Sequence, residues 1–236
     1  MKLNRIFEAH GDFFKDQQKE IGRLLRTTMK FHYRAGKWYP SVTSIINPTG
    51  MSHFAAAYGA RGTIVHYLFW HYIRTGEWLD WRNCRLLEKE IYIMEQDRRK
   101  VRVEAANYKG FMLEYGKRFQ FDRDSLEKRF FNDKYFFTGR PDSEGLYTPI
   151  LSGMTYPSIF EYKSIGTYNK KELDAIFMQL AAYAFGQDKP DLWGVCIPLN
   201  GKTKLGYVEP IVCKDLRPYF DMFLKRREAL RDLYGI

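Results

Sequence analysis

The chain has 236 residues and a mass of 28.1 kDa, and its 45% hydrophobic and 28% charged residues are ordinary values for a globular protein. This composition excludes a disordered chain and a collagen-like repeat, and no apolar run approaches the ~20 residues that span a bilayer. Thirty-eight Lys and Arg against 28 Asp and Glu leave a net charge of +10, which favours polyanionic partners such as nucleic acid or an anionic membrane surface.

Cysteine usage and the N-terminus bear on compartment and organisation. Cys84, Cys196 and Cys213 are too few and too scattered for a disulfide framework, a CxxC-type zinc site or an iron-sulphur site, which favours a reducing compartment. The first residues lack the apolar core of a secretory signal, so we expect a cytoplasmic protein. Without internal repeats or a long linker, the chain is expected to form a single domain over residues 1–236, with residues 1–30 a helical appendage.

The first half of the chain predicts a hairpin followed by two helices. The run FHYRAGKWYPSVTSII contains two β-rich stretches around Ala35 and Gly36. Residues 52–74 are apolar on almost every side, which predicts a helix buried under other elements and ended by Gly76. Residues 84–120 are helical in period and strongly charged.

The second half predicts strands that alternate with helices. Residues 125–138 and 157–163 have strand character, 170–187 predict a helix, and 192–199 with 204–212 predict a strand pair joined through Asn200-Gly201. This order indicates an α/β or α+β domain with a modest mixed sheet. The last helix, 214–235, is expected to bury Leu216, Phe220, Phe223, Leu230 and Leu233 and to expose Lys225, Arg226, Arg227 and Arg231.

A Glu-x-Lys tripeptide, Glu161-Tyr162-Lys163, ends one predicted strand. Residues two apart on a strand point to the same face, so Glu161 and Lys163 project together. In isolation such a pair is most often a surface ion pair of small energy. However, Asp142 follows a Gly-Arg-Pro corner upstream, and a hairpin can bring it beside Glu161. Two close carboxylates need a cation or a shared proton, and oxygen-ligated Mg²⁺ or Mn²⁺ would meet that need.

Three further polar residues accompany this pair. His66 lies one helical turn after Gly62 in an apolar helix, where a lone histidine is usually a satisfied core residue. Gln179 and Tyr183 are spaced i, i+4 and share one face of the helix that follows the Glu161-Lys163 strand. They are either helix-surface residues or inward polar groups, and inward polar groups must find partners.

The ordered set Gly-x-x-x-His, Gly-x-x-Asp, Glu-x-Lys and Gln-x-x-x-Tyr resembles the PD-(D/E)xK nuclease superfamily, in its RecB-like and mitochondrial genome maintenance exonuclease-like branch. The segment PSVTSII at 40–46 also looks like the opening of the latter group, and the resemblance covers about residues 38–200. It implies an α/β fold with a restriction-endonuclease-like core, in which helices flank a small mixed central sheet. It also implies a metal-dependent DNA nuclease, more exonucleolytic than endonucleolytic, in replication, recombination or repair.

The resemblance assigns a role to each residue of the set. His66, Asp142 and Glu161 would ligate Mg²⁺ or Mn²⁺, together with the Tyr162 carbonyl. Lys163 would orient or activate the attacking water, which makes Asp142, Glu161 and Lys163 the catalytic residues. The supporting or DNA-contacting residues would be Glu127, on the strand before Asp142, with Gln179, Tyr183 and Arg61.

The same resemblance bounds cofactors and partners. Related CRISPR-adaptation nucleases carry a four-cysteine iron-sulphur cluster, which three scattered cysteines cannot build, so no cluster is expected. DNA, single-stranded or with free ends, is the expected partner, and a separate helicase or other replication or recombination protein would supply any motor. The small size suggests a viral or mobile-element enzyme, located in the host cytoplasm if viral.

Two alternative functions remain open, of which the first explains the charge equally well. One is a non-catalytic basic DNA-binding protein whose acidic and basic residues are structural pairs. The other is an endonuclease of the same fold. A membrane-surface protein is disfavoured because the basic helices are not asymmetric enough in apolar residues.

Overall fold

The computed structural model describes residues 29–48, 65–79, 95–163, 169–198, 202–203 and 206–234. Arg61 and Gly62, Asn200-Gly201 and nearly all of the expected appendage at 1–30 lie outside these residues. In chain order the elements are β1 (Phe31–Arg34), β2 (Lys37–Pro40), α1 (Val42–Ile46), α2 (helical over 65–75), α3 (Glu95–Tyr115), a 3₁₀ turn (Gly116–Arg118), β3 (Phe119–Asp122), β4 (Phe130–Asn132), β5 (Phe137–Gly139), β6 (Ser143–Tyr147), β7 (Tyr156–Lys163), α4 (Lys170–Gly186), β8 (Trp193–Pro198), β9 (Lys202–Thr203), β10 (Gly206–Tyr207), β11 (Ile211–Cys213) and α5 (Arg217–Tyr234).

A mixed sheet of five strands forms the centre of the fold, in the order β11-β8-β7-β6-β3. β7 and β8 are parallel, and the other neighbouring strands are antiparallel. A parallel pair needs a crossover connection, and α4 provides it between β7 and β8. The structure therefore confirms a mixed α/β architecture with a modest central sheet flanked by helices.

Helices cover both faces of the sheet, so β7 is buried on both sides. Ile159 belongs to the apolar cluster that β7 shares with α4 and α5. Phe160 and Tyr162 belong to the opposite cluster, with residues of α2 and α3. Successive side chains of a strand point to opposite faces, which explains why SIFEY reads as a continuous buried run.

The predicted hairpin is confirmed, but its second strand is shorter than expected. Ala35 and Gly36 join β1 to β2 with positive φ angles of 48° and 78°, as a two-residue turn between twisted strands requires. The prediction of β structure for residues 42–46 is wrong, because these residues form α1. The Ser41 side chain accepts a hydrogen bond from the Ser44 N–H at 3.2 Å, and this N-cap overrides the β propensity of the segment.

The two following helices differ from the prediction in burial and in length. Gly76, at φ 79°, follows the end of α2 as predicted. The described part of α2 is not apolar on every side, because Phe69 is buried and Arg74 is exposed. A helix to residue 120 is wrong, since α3 ends at Tyr115 and Phe119–Asp122 pairs with β6 as a strand.

Residues 125–147 were predicted least accurately. Residues 125–127 form a turn rather than a strand, and Glu127, predicted on a strand, adopts a left-handed conformation with φ 52°. The remainder forms the β4-β5 hairpin. Directly after Asp142, the sequence SEGLY forms β6, which was not predicted because Ser, Glu and Gly are weak strand formers.

The C-terminal elements largely follow the prediction. α4 begins with a reciprocal cap between Asn169 and Glu172. The predicted pairing of 192–199 with 204–212 is confirmed only in part, because β8 pairs with β11 at Ile211–Cys213, whereas Gly206–Tyr207 pairs with β9. Two predictions for α5 are wrong. Leu233 is 74% exposed, whereas Arg227 is only 5% exposed and donates to the Phe136 carbonyl at 3.0 Å. Among the described helices, none is long and apolar enough to cross a membrane.

Candidate functional site

The site lies where β6 begins beside the end of β7. Ser143 pairs with Phe160 in the antiparallel register, and one further residue along this register places Asp142 opposite Glu161. Both carboxylates are buried, with exposed fractions of 7% and 3%. Two buried carboxylates this close disfavour double ionisation unless positive charge compensates them.

A glycine brings the segment that carries Asp142 onto α4. A Cβ atom built on Gly139 would lie 2.6 Å from the Tyr183 ring, so only glycine permits this approach. Arg140 and Pro141 then lead directly to Asp142. The Gly-Arg-Pro-Asp corner therefore positions a carboxylate against the helix that follows β7.

His66 reaches this pair from α2. Its Nδ1 lies 3.1 Å from Asp142 Oδ1 and 3.8 Å from Glu127 Oε1. Burial lowers the pKa of the imidazole, but the charge of Asp142 and hydrogen bonds to Asp142 and Glu127 outweigh burial and raise the pKa to about 10. In the metal-free protein the imidazolium is therefore the countercharge of the carboxylates.

Glu127 belongs to the same cluster of side chains. Its backbone N–H donates to the Asp142 carbonyl at 3.1 Å, which ties its turn to the start of β6. Its Oε2 lies 3.0 Å from the Arg140 guanidinium. One ligand atom each from His66, Glu127 and Asp142 lie within 4.8 Å of one another, a spacing that could hold a metal ion.

Asp142 is oriented through both oxygens. Oδ1 faces His66, and Oδ2 accepts a hydrogen bond from the Tyr162 backbone N–H at 2.7 Å. Burial raises the pKa of this carboxyl, but the imidazolium and the Tyr162 N–H outweigh it, so the pKa lies below its usual value. The Tyr162 hydroxyl is hydrogen-bonded to Ser143, and its ring stacks on Phe69 at 3.8 Å. Ligation by the Tyr162 carbonyl remains a prediction.

Lys163 and Gln179 hold the other carboxylate. Glu161 Oε1 accepts from Lys163 Nζ at 2.6 Å and from Gln179 Nε2 at 2.8 Å. Gln179 also donates to the Tyr183 hydroxyl at 2.8 Å, and its own oxygen lies 3.3 Å from Lys163 Nζ. The interpretation of Gln179 and Tyr183 as surface residues is wrong, because both are buried. The expected common face of Glu161 and Lys163 is confirmed.

The second oxygen of Glu161 has no hydrogen-bond partner in the part of the chain that the structure describes. Oε2 is buried, and no hydrogen-bond donor among the described residues reaches it. Burial, followed by the charge of Asp142, raises the pKa of this carboxyl to about 7. An unsatisfied buried carboxylate oxygen costs stability, and a cation is one ligand that satisfies it.

The donor set suits a hard divalent cation. Carboxylate oxygens are the ligands that Mg²⁺ prefers, and one imidazole nitrogen also permits Mn²⁺. Among the described residues, the group whose ligand atoms lie close enough together to hold an ion is His66, Glu127 and Asp142, so Glu127 rather than the predicted Glu161 completes it. The charge of Glu161 still contributes to the raised pKa of His66. Metal binding at His66 would release its proton, because the metal and the proton compete for the imidazole.

Sequence reasoning missed part of this site. Arg140 was noticed only as part of a turn, although its guanidinium pairs with Glu127. Glu127 was predicted as a supporting residue, whereas it lies as close to His66 as a ligand would need. No local pattern signals either contact, because both depend on a left-handed turn. Arg61 lies outside the described residues.

The sequence was compared with protein-family models and with curated proteins. No protein-family model matches the chain. No curated protein matches it with significant sequence similarity.

Proposed function

We propose that the chain is a metal-dependent DNA nuclease with a restriction-endonuclease-like core that hydrolyses phosphodiester bonds. The observation that carries the proposal is the buried Glu161 Oε2, to which no described residue donates, beside Asp142, which contacts His66, and with Oε1 in contact with the Lys163 ammonium. This combination supplies ligands for a cation and a positive group for a phosphate. A purely structural cluster would satisfy its own oxygens.

The residues that would hold Mg²⁺ or Mn²⁺ are His66, Asp142 and Glu161, with Glu127 beside them. When bound, the cation would stabilise negative charge on the phosphate in the transition state and lower the pKa of a water. Asp142 keeps its orientation because Oδ2 is fixed by the Tyr162 N–H. The chain's own groups are thus preorganised before the substrate arrives.

Lys163 is the proposed catalytic cation of the protein itself. Burial lowers the pKa of its amine, but Glu161 outweighs burial and raises it, so the amine remains an ammonium at neutral pH. An ammonium donates protons in hydrogen bonds and accepts none. Lys163 therefore stabilises charge on the phosphate and orients the attacking water through that water's oxygen. Gln179 positions Lys163, and Tyr183 positions Gln179.

The test is cleavage of linear DNA by the purified protein. We expect degradation with Mg²⁺ or Mn²⁺, none with EDTA, and loss of activity in Asp142→Ala and Lys163→Ala. Metal-dependent activity that is unchanged in both variants would contradict the assignment. A covalently closed circular substrate separates the two modes of cleavage, since rapid cutting of the circle indicates an endonuclease. The preference for an exonuclease acting on free ends, alone or beside a helicase, rests on the resemblance.

A non-catalytic DNA-binding protein is the second candidate. The 2.6 Å contact between Lys163 and Glu161 favours it, because that contact is also what a structural ion pair looks like. Calorimetric titration with Mn²⁺ separates the candidates. The nuclease requires a site that Glu161→Gln weakens or abolishes, and a structural cluster requires none.

A further inference from the structure

A group of basic residues adjoins the candidate site on the side of Glu127. Phe130 pairs with Gly139 in the β4-β5 hairpin, and one residue beyond this pair the register places Arg129 opposite Arg140. Side chains directly opposite on paired strands are neighbours, and like charges there repel. The open end of the hairpin therefore concentrates positive charge next to the carboxylates.

The two arginines differ in their partners. Arg140 contacts Glu127 at 3.0 Å. Arg129 is half-buried, yet its guanidinium forms no hydrogen bond and no ion pair with any residue in the described ranges. Burial, followed by the charge of Arg140, lowers its pKa. An arginine in this position gains from an anion that supplies the missing acceptors.

The start of β1 extends the same positive surface. The Lys30 carbonyl accepts from the Ser41 N–H at 2.9 Å, and Ser41 bridges to Thr138, two residues before Arg140. The same positive charges lower the pKa of His32. Burial, followed by the charges of Arg129, Lys30 and Arg140, lowers that pKa to about 4. His32 is therefore neutral at physiological pH and able to donate a hydrogen bond without adding charge.

We propose that Arg129 is a positioning residue that binds a backbone phosphate of the DNA strand next to the scissile phosphate, with Arg140 and Lys30 beside it. The inference rests on the proposed function and adds the direction in which the strand leaves the site, across the open end of the β4-β5 hairpin towards β1. Glu127 links the two sites, since it contacts Arg140 on one side and His66 on the other. Planar guanidinium groups bind phosphate oxygens in a bidentate manner, which fixes the register of a strand.

The test compares Arg129→Gln with Lys134→Gln. Lys134 is exposed in the turn at the opposite end of the same hairpin, so its replacement removes the same charge far from the site. Fluorescence anisotropy with labelled oligothymidylate in EDTA measures binding without metal or cleavage. We expect Arg129→Gln to weaken binding about tenfold. It should also reduce the salt dependence of binding by about 0.7 in log-log slope. Lys134→Gln should change neither.

Arg129→Lys and thermal melting guard against a merely structural role. Arg129→Lys should keep the salt slope of the parent protein but recover only part of the affinity, because an ammonium does not bind a phosphate in the bidentate manner of a guanidinium. All three variants should melt close to the parent protein. Equal affinity and salt slope for Arg129→Gln and Lys134→Gln would overturn the proposal, even if the protein cleaves DNA with Mg²⁺. Conversely, a specific loss in Arg129→Gln without any metal-dependent cleavage would support the phosphate subsite and contradict the nuclease. With active enzyme, Arg129→Gln should raise KM more than it lowers kcat.

Discussion

Two buried carboxylates of the central sheet, Glu144 and Glu161, are each surrounded by one lysine and one glutamine. Each carboxylate oxygen of Glu144 accepts one hydrogen bond. Oε1 accepts from Gln187 at 2.7 Å and Oε2 accepts from Lys189 at 2.5 Å. This cluster ties β6 to the end of α4, and both carboxylate oxygens have a partner within the protein.

Around Glu161 the same residue types are arranged unevenly. Both Lys163 and Gln179 donate to Oε1, and no described residue donates to Oε2. The residue types around a buried carboxylate therefore do not by themselves distinguish a structural cluster from a binding site. What separates them is whether the donors satisfy every acceptor, because an oxygen that is left over is available to an external ligand.

The rate of DNA cleavage should change most. Glu161→Gln should lower the rate of metal-dependent DNA cleavage on the order of 10³-fold. The reason is that it removes a negatively charged ligand of the cation that would stabilise the reacting phosphate. Glu144→Gln removes the same charge from the satisfied cluster and should keep most of the activity. Single-turnover rates on linear DNA at saturating Mg²⁺ measure both. Equal losses of cleavage rate in the two variants would show that the two clusters do not differ in function.

The second effect is stabilisation by metal. At a Mn²⁺ concentration of about 100 times its Kd, binding to the folded state contributes about 2.7 kcal/mol. That contribution raises the Tm of a chain of this size by about 5 °C or more. The Glu144→Gln variant should show the same increase as the parent protein, whereas Glu161→Gln and Asp142→Asn should show little. Differential scanning fluorimetry with and without EDTA measures the shift, and an increase retained in Asp142→Asn would place the metal elsewhere.

The third effect is on stability without metal. Glu144→Gln should lower the free energy of unfolding by about 1–2 kcal/mol, because it weakens a hydrogen-bonded ion pair that joins β6 to α4. Glu161→Gln should cost less, since burial already raises the pKa of that carboxyl to about 7 and reduces its charge at neutral pH. Urea unfolding in EDTA compares the two variants. A larger cost for Glu161→Gln would identify Glu161 as the structural residue instead.

The smallest effect is a pH dependence of that stability. The pKa of Glu161 is higher in the folded protein than its ordinary value of 4.5, so the folded state binds the proton more tightly. Its contribution is fully present below pH 4.5 and is lost as the pH rises through about 7. In EDTA, the stability of the parent protein relative to Glu161→Gln should therefore fall with rising pH across this window. Parallel stability curves would contradict the raised pKa.

Local spacing predicted the pairs that lie on one element. Glu161 and Lys163 are two residues apart on a strand, and Gln179 and Tyr183 are four apart on a helix, so backbone geometry alone brings each pair together. The structure confirms both pairings. The hairpin at Ala35-Gly36 and the end of α2 at Gly76 were also predicted from local sequence, since glycine at a turn or helix end permits positive φ.

The approach of Asp142 to Glu161 and of His66 to Asp142 was expected from a possible hairpin and from the family resemblance, not from local patterns, and the other contacts between elements were not predicted. The strand that carries Asp142 to Glu161 was not predicted, because SEGLY gains its strand conformation from pairing with β3 and β7. Glu127 was placed on the wrong element, and its approach to His66 depends on a left-handed turn. Leu233 and Arg227 exchanged their expected exposure because hydrophobicity does not determine which side of α5 meets its neighbours.

Spacing along the chain sets which residue types stand two or four positions apart and therefore which side chains share a strand face or a helix face. Packing between elements determines that His66, Glu127 and Asp142 form one group, that Glu161 lies opposite Asp142, and that no described residue donates to one oxygen of Glu161. The physical reason is that periodicity acts over a few residues of one element. The satisfaction of a buried polar atom depends on every element that packs around it.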